Sequence, residues 1–198
     1  MRLPIATLLL ALLTSLAAHA ESLPMNNRLF DAARLGDLPA IRQALAQGAT
    51  LDARDDQGQT ALLVATHANQ VAAAQVLIEA GADVNAKDNI HDSPYLYAGA
   101  RGLDEILRLT LAHGADLKST NRYGGTALIP AAERGHVQTV QLLIDAGVEV
   151  NHLNRLHWTA LLEAVILGDG GPRHVEYRFC KRDVSTTIEL LPLVVYRS

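Results

Sequence analysis

The chain has 198 residues, and its 17 basic and 21 acidic side chains give a formal net charge of −4, which excludes the basic field expected of a nucleic-acid-binding protein. Aromatic residues make up only 4% of the sequence, which favours small, closely packed helices over a sheet sandwich. Cys180 is the only cysteine, so no intrachain disulfide can form and the fold must be held by its core.

The first 20 residues have the pattern of a secretory signal peptide. Arg2 is their only charged residue, an apolar run follows, and Ala18-His19-Ala20 supplies the small residues of a cleavage site. This run is too short to span a bilayer comfortably, and no other apolar run in the sequence is long enough. We therefore expect cleavage after Ala20, a periplasmic or secreted bacterial protein without a membrane span after cleavage, and a flexible leader over residues 21–27.

Three series of residues recur with a period of 33. Glycine recurs at Gly48, Gly81, Gly114 and Gly147. A second series comprises Gly36, Asn69, Gly102, Gly135 and Gly168. A third comprises Thr60, Ser93, Thr126 and Thr159. The hydroxyl residues are suited to cap a helix, and the second series tolerates the left-handed conformation of a tight turn. Each period therefore predicts a polar turn, a short helix, a tight turn and a second helix.

The second helix of each period carries one apolar stripe with i, i+3, i+4 spacing. Its members are Ile41-Ala44-Leu45, Ala74-Leu77-Ile78, Leu107-Thr110-Leu111 and Val140-Leu143-Ile144. The aspartates of the turns, such as Asp55, are expected to bond backbone N–H groups.

These motifs together resemble the ankyrin-repeat family. The matching segments are Gly58-Thr60-Ala61-Leu62, Gly81 to Ala86, Gly124-Thr126-Ala127-Leu128, Gly135-His136 and Gly147 to Asn151. The resemblance implies an all-α solenoid of stacked helix-turn-helix units. One departure is the histidine that usually opens the first helix of a repeat, because its position here holds Leu63, Leu96, Ile129 and Leu162.

The predicted repeat domain spans residues 28–176. Its repeats are placed at about 28–52, 53–85, 86–118 and 119–151, with a partial repeat at 152–176. The first repeat should have helices near Leu29–Leu35 and Leu38–Gln47, with Pro39 in the first turn of the second helix.

The pattern fails near residue 176. The fifth repeat has a longer turn between its helices, Gly168 to Arg173, and with this insertion its stripe positions hold Arg178, Lys181 and Arg182, which cannot form a buried face. Alignment without the insertion places Arg173, Glu176 and Tyr177 there, which is no better. The segments 184–188 and 194–196 look strand-like instead. We interpret residues 177–198 as a divergent or disordered tail. A reading-frame change in the gene and a genuine divergent cap both account for it.

No catalytic, cofactor-binding or metal-binding motif is found in the sequence. The eight histidines lack the spacing of a metal site, and His91 and His157 share one turn position two repeats apart. We expect them to be ordinary surface residues. A catalytic thiol at Cys180 would need a base placed by a rigid scaffold. The sequence therefore predicts no enzyme, no cofactor and no metal.

The resemblance implies that the concave face, formed by turn tips and first helices, binds another protein. Carried onto this sequence, that face comprises Asp56, Gln57, Gln59, Asn89, Ile90, Asp92, Arg101, Arg122, Tyr123, Arg134, Arg155, Leu156 and Trp158. Tyr123 and Trp158 are the expected anchors. The four arginines indicate an acidic partner surface.

The leading hypothesis is a non-enzymatic interaction module that stabilises, inhibits or recruits a partner protein in the periplasm. One alternative is an immunity or inhibitor protein for an exported enzyme, another is an enzyme with a site in the tail or loops, and a third is an inert fragment of a longer ankyrin protein. The chain is expected to be a monomer unless an uncapped C-terminal repeat self-associates.

Overall fold

The computed structural model describes residues 25–167, 179–181 and 188–190. The chain divides into two compact units, Met1–Asn89 and Ile90–Ser198, here called unit 1 and unit 2.

Unit 1 contains two helical hairpins in its described part. Helix α1 covers residues 25–35, and it is followed by α2 (Leu38–Ala46), α3 (Ala61–His67) and α4 (Val71–Glu79). Both α2 and α3 pack against α4. Helix α1 includes residues 25–27, which the sequence assigned to the leader. Asn26 lies in this first turn, and its Oδ1 accepts a hydrogen bond from the Thr50 N–H at 3.0 Å.

Unit 2 continues the same pattern of short helices. Its helices are α5 (Pro94–Arg101), α6 (Asp104–Ala112), α7 (Leu128–Glu133), α8 (Val137–Asp145) and α9 (Ala160–Leu167). Helix α7 packs against α5, α8 and α9, and α6 packs against α8. The described helices thus form the repeated hairpins that the 33-residue period predicts.

A short antiparallel ladder follows the helices of unit 2. Strands β1 (Phe179–Lys181) and β2 (Ile188–Leu190) pair so that Phe179 faces Leu190. The sequence predicted strands at 184–188 and 194–196. Ile188 falls within β2, and residues 184–187 and 194–196 lie outside the described residues. The extended backbone of β1 also excludes a helix at residues 179–181, which would belong to the second helix of the fifth repeat if Gly168 to Arg173 contain an insertion.

Three of the four predicted helix caps are formed. In each, the hydroxyl oxygen accepts a hydrogen bond from the backbone N–H three residues on. The bonds join Thr60 to Leu63 at 3.3 Å, Ser93 to Leu96 at 3.2 Å and Thr159 to Leu162 at 3.2 Å. Asp37 caps α2 in the same way, accepting from the Ala40 N–H at 3.0 Å, and Pro39 lies in the first turn as expected.

The predicted cap at Thr126 is wrong. Helix α7 begins two residues later, at Leu128, and Ala127 has helical dihedral angles. The Ile129 N–H therefore bonds to the backbone oxygen of Thr126, at 3.2 Å, and not to its hydroxyl. The Thr126 hydroxyl is buried and has no hydrogen-bond partner among the described residues.

The predicted apolar stripes form the core. The first two positions of every stripe are buried, namely Ile41 and Ala44, Ala74 and Leu77, Leu107 and Thr110, and Val140 and Leu143. The third position is buried at Ile78 and half-buried in the other three repeats. The tight turns also form as expected, because Asn69 and the described glycines of that series have φ between 52° and 71°.

Helix α9 is packed less completely than the first helices of the preceding repeats. The positions equivalent to Leu161 are 0–2% exposed and those equivalent to Leu162 are 0–5% exposed; these are Leu62, Tyr95 and Leu128, and Leu63, Leu96 and Ile129. Leu161 itself is 37% exposed and Leu162 is 39% exposed. The last described helix therefore lacks contacts that every earlier repeat has.

Candidate functional site

The turn that precedes each first helix, here called a tip, occupies residues 55–59, 88–92, 121–125 and 154–158. A side-chain oxygen at the start of three tips accepts two backbone N–H groups, two and four residues on. Asp55 binds Gln57 and Gln59 at 2.9 Å, Asn121 binds Tyr123 at 2.9 Å and Gly125 at 3.1 Å, and Asn154 binds Leu156 at 2.9 Å and Trp158 at 3.1 Å. The prediction for Asp55 is confirmed, and Asn121 and Asn154 share the role through their period.

The fourth residue of every tip has a left-handed backbone. It is Gly58 or Gly124 in two tips, with φ of 76° and 75°. His91 and His157 take this position in the other two, with φ of 64° and 60°. The two histidines that share a turn position therefore stand where the backbone favours glycine, and they are exposed.

In unit 1 the predicted site residues form hydrogen bonds with one another. Gln59 is only 8% exposed, and its Nε2 donates to Gln57 Oε1 at 2.9 Å. Gln59 therefore supports the tip from inside, and its assignment as a contact residue stays a prediction. Asn89 Nδ2 donates to the Asp56 carbonyl at 3.4 Å, and the Asn89 N–H donates to the Gln57 carbonyl at 3.1 Å. Asp56, Gln57 and Asn89 remain exposed at their tips.

Arg54 is a residue of unit 1 that the sequence did not indicate. Its Nη1 donates to the carbonyls of Gly58, at 2.7 Å, and Lys87, at 2.6 Å, and so joins two successive turns. An arginine before the first aspartate of a tip was the available signal, but it could equally have faced solvent.

In unit 2 the predicted residues converge on one groove of about 710 Å³. Eight of the nine predicted residues of this unit line it: Asp92, Arg101, Arg122, Tyr123, Arg134, Arg155, Leu156 and Trp158. Ile90 is 47% exposed and does not line the groove. The lining also contains residues that the sequence did not single out as site residues, namely Tyr97, Asn121, Ile129, Pro130, Asn154 and Glu163.

Three of the groove's arginines are held in place by contacts within unit 2. The Arg122 guanidinium lies over the Tyr123 ring at 4.9 Å, and that of Arg101 lies over the Tyr97 ring at 5.4 Å. Arg134 Nη1 donates to the Ala100 carbonyl at 2.5 Å. These contacts fix the position of positive charge at the groove before any ligand arrives.

Apolar and aromatic side chains line the same groove as these charges. Tyr123 is 61% exposed and Leu156 is 65% exposed, while Trp158 is half-buried. The backbone of Trp158 is fixed at both ends, because its N–H donates to Asn154 Oδ1 and its carbonyl accepts from the Asn154 N–H at 3.1 Å. Large, partly exposed side chains on a rigid tip are typical of binding surfaces.

Glu163 is a buried carboxyl in the groove wall. It is 6% exposed, and its Oε1 accepts a hydrogen bond from Asn154 Nδ2 at 3.1 Å. Burial raises the pKa of Glu163, and the nearby carboxylate of Glu133 raises it further, while the bond from Asn154 acts in the opposite direction. A negative charge here is therefore less favourable than on an open surface.

Two histidines form structural hydrogen bonds near helix ends and tips. His152 Nε2 lies 2.7 Å from the Gly124 carbonyl, and His113 Nδ1 lies 2.8 Å from the Leu109 carbonyl. No group of three or more histidine, cysteine, aspartate or glutamate side chains in the described residues could hold a metal ion. Within the same part of the chain, no helix is long and apolar enough to cross a membrane.

Comparison with known proteins identifies the class of fold. The family model for ankyrin repeats, in three copies, matches residues 6–93 and 95–177. The chain therefore belongs to the ankyrin-repeat family, and the predicted helical repeat solenoid is confirmed. The first match includes residues 6–20, which lie within the predicted signal peptide.

A solved structure agrees with this assignment. The chain is similar to an ankyrin repeat domain from Acinetobacter baumannii AYE, with 69% sequence identity and a TM-score of 0.70. The similarity covers 72% of this chain and 73% of that one. No curated protein matches the chain. Ankyrin repeats are generally scaffolds for protein–protein interaction, and this chain is such a module in its fold.

Proposed function

We propose that the chain is a non-enzymatic module that binds another protein through the groove of unit 2. The observation that carries this proposal is the convergence of Tyr123, Leu156 and Trp158 with four arginines on one groove of about 710 Å³. Aromatic residues and arginine dominate the energy of protein interfaces. The tips of unit 1 offer a less suitable surface, because their polar side chains bond to one another.

The proposed place of action is the periplasm, where the protein stabilises, inhibits or recruits its partner. The signal-like pattern of the first 20 residues supports this compartment. An immunity or inhibitor role toward an exported enzyme is a more specific form of the same proposal. A neighbouring gene that encodes such an enzyme would support it.

Substitution of the two aromatic anchors tests the proposal. The partner is first captured by affinity purification from the periplasm and identified by mass spectrometry. Trp158→Ala and Tyr123→Ala should each weaken its binding by about 2 kcal/mol or more, because each removes a large contact from the groove. Leu153→Ala is the matched control, since Leu153 is 51% exposed but lies outside the groove. Wild-type affinity in both aromatic variants would contradict the proposal.

A second candidate is an inert fragment of a longer ankyrin protein. The exposure of Leu161 and Leu162 favours it, because the equivalent leucines of earlier repeats are covered by neighbouring helices. Terminal repeats with an apolar outer face are poorly soluble. Aggregation that disappears when a capping helix is restored would support this candidate over a binding function.

A further inference from the structure

We propose that the groove of unit 2 selects an acidic segment of its partner, in which aspartate or glutamate residues flank an apolar side chain. This inference rests on the proposed function and specifies the chemistry of the partner. The arginines of the groove bind the acidic residues of the partner, and the apolar side chains of the groove bind its apolar residue.

The groove is lined by more positively charged than negatively charged side chains. Four arginines and three carboxylates line it, within a chain whose formal net charge is −4. In the part of the chain that the structure describes, Arg101, Arg134 and Arg155 form no salt bridge with a carboxylate. Their charges are therefore available to a ligand, and an acidic ligand satisfies them better than a neutral one.

Two of these arginines are held in place by contacts within unit 2. Arg101 is held over Tyr97 at 5.4 Å, and Arg134 is held by the Ala100 carbonyl at 2.5 Å. A planar guanidinium that is already oriented loses little freedom when it binds a carboxylate. Arg155 follows directly on Asn154, whose side chain organises the last tip.

Apolar side chains line the groove together with these charges. Tyr123 and Leu156 are 61% and 65% exposed, and Trp158 is half-buried. A polar chain that carried only carboxylates would leave these side chains exposed to water. An apolar residue among the acidic ones would cover them.

The carboxyl groups of the groove make it possible to test whether side-chain charge determines the affinity for an acidic ligand. Glu133 and Glu163 lie on the helical side of the same groove and would repel an acidic ligand. Replacing an arginine of the groove by a neutral residue should therefore weaken the binding of an acidic ligand, whereas replacing Glu133 or Glu163 by a neutral residue should strengthen it. A purely structural role of these residues would not produce that pattern.

The experiment uses two short synthetic peptides of equal length, one alternating glutamate with leucine and the other alternating lysine with leucine. Trp158 is the only tryptophan of the chain, so its fluorescence reports binding at the groove. The glutamate peptide should bind at least about tenfold more tightly than the lysine peptide, since it gains attraction at several arginines where the other is repelled. Its affinity should fall as the salt concentration rises.

Charge-neutral variants of the full chain complete the test. Arg101→Gln and Arg155→Gln should each lower the affinity for the glutamate peptide by about fivefold, which is the effect of losing one partly exposed ion pair. Glu163→Gln keeps an oxygen that can accept from Asn154 and should strengthen binding. Arg108→Gln is the control, because Arg108 is exposed on α6 and does not line the groove.

Equal binding of the two peptides, or unchanged affinity in both arginine variants, would overturn the inference. The proposed function would survive that result if the captured partner still required Trp158 and Tyr123. If the captured partner binds equally well without those aromatic residues, the proposed function fails, whatever the peptides show.

Discussion

Tyr95 is the residue whose environment departs most from those of its equivalents. The other first helices have Leu62, Leu128 and Leu161 at this position, whereas Tyr95 buries a hydroxyl that has no hydrogen-bond partner among the described residues. Tyr95→Phe should therefore raise the free energy of unfolding by about 1 kcal/mol, since it removes an unsatisfied polar group without changing the shape of the ring. Urea unfolding measures this, with Tyr97→Phe as the control on the same helix.

The same hydroxyl makes stability depend on alkaline pH. Burial raises the pKa of Tyr95 above the ordinary value of 10.0, and the carboxylate of Asp116 adds to the shift. Above pH 10 the unfolded chain therefore loses this proton while the folded chain keeps it, so stability falls as pH rises. The Tyr95→Phe variant should lose less stability between pH 9 and pH 11, a range that brackets a tyrosine's ordinary pKa of about 10. Parallel pH curves for both proteins would contradict this prediction.

Two single residues show features of the fold that the local sequence does not determine. Thr60 and Thr126 have the same local sequence, Thr-Ala-Leu, but only Thr60 caps its helix. Gln59 was placed among exposed tip residues, whereas the fold turns it inward toward Gln57. In both cases the outcome depends on a rotation of the backbone or side chain that the type of residue does not determine.

At the scale of elements, α9 is packed less completely than the first helices of the preceding repeats. Its Leu161 and Leu162 are 37% and 39% exposed, and residues 179–181 form a strand and not a helix. Opening of a helix with few apolar contacts costs little free energy. In hydrogen exchange, the amides of α9 should exchange faster than those of α7. Equally slow exchange in both helices would show that α9 is covered.

A graft tests whether a missing helix is the cause. Residues 135–151 contain the second helix of the preceding repeat, and a copy of them can replace the chain after Leu167. The graft should slow exchange in α9, reduce aggregation and raise the free energy of unfolding by about 2 kcal/mol, because two half-exposed leucines become buried. The control graft carries Arg, Lys and Arg at the positions of Val140, Leu143 and Ile144, as the natural tail does. Equal stability of both grafts would refute this explanation.

The elements were predictable from patterns in the sequence, whereas the groove was predicted only in part and through the family resemblance. The period and the apolar stripes indicate each hairpin because they report contacts that recur in every repeat. The groove combines side chains from tips and helices of several repeats in unit 2. Tyr97 and Glu163 line it only because their helices face it, and no local pattern marks them. Most of the arginines and aromatic residues were found through the resemblance, which specified the face.

At the scale of the whole molecule, export is the main prediction. If residues 1–20 direct secretion, the protein recovered from the periplasm should begin at Glu21. Mass spectrometry of the intact protein measures this directly. Replacing Ala18 and Ala20 by large residues should block the cleavage, because the peptidase requires small side chains there. A protein recovered only from the cytoplasm, with residues 1–20 intact, would refute both the cleavage and the compartment.

Four side-chain hydrogen bonds between successive repeats span almost the same length of chain. Arg54 reaches Lys87 across 33 residues, Gln70 reaches Arg34 across 36, Arg134 reaches Ala100 across 34, and Thr139 reaches Asp104 across 35. Each repeat can therefore complete its contacts as soon as the next one has been synthesised or translocated. Such a chain can build its fold progressively from the N-terminus while the rest is still being delivered. The same spacing allows one whole repeat to be added or removed without changing the partners of those that remain.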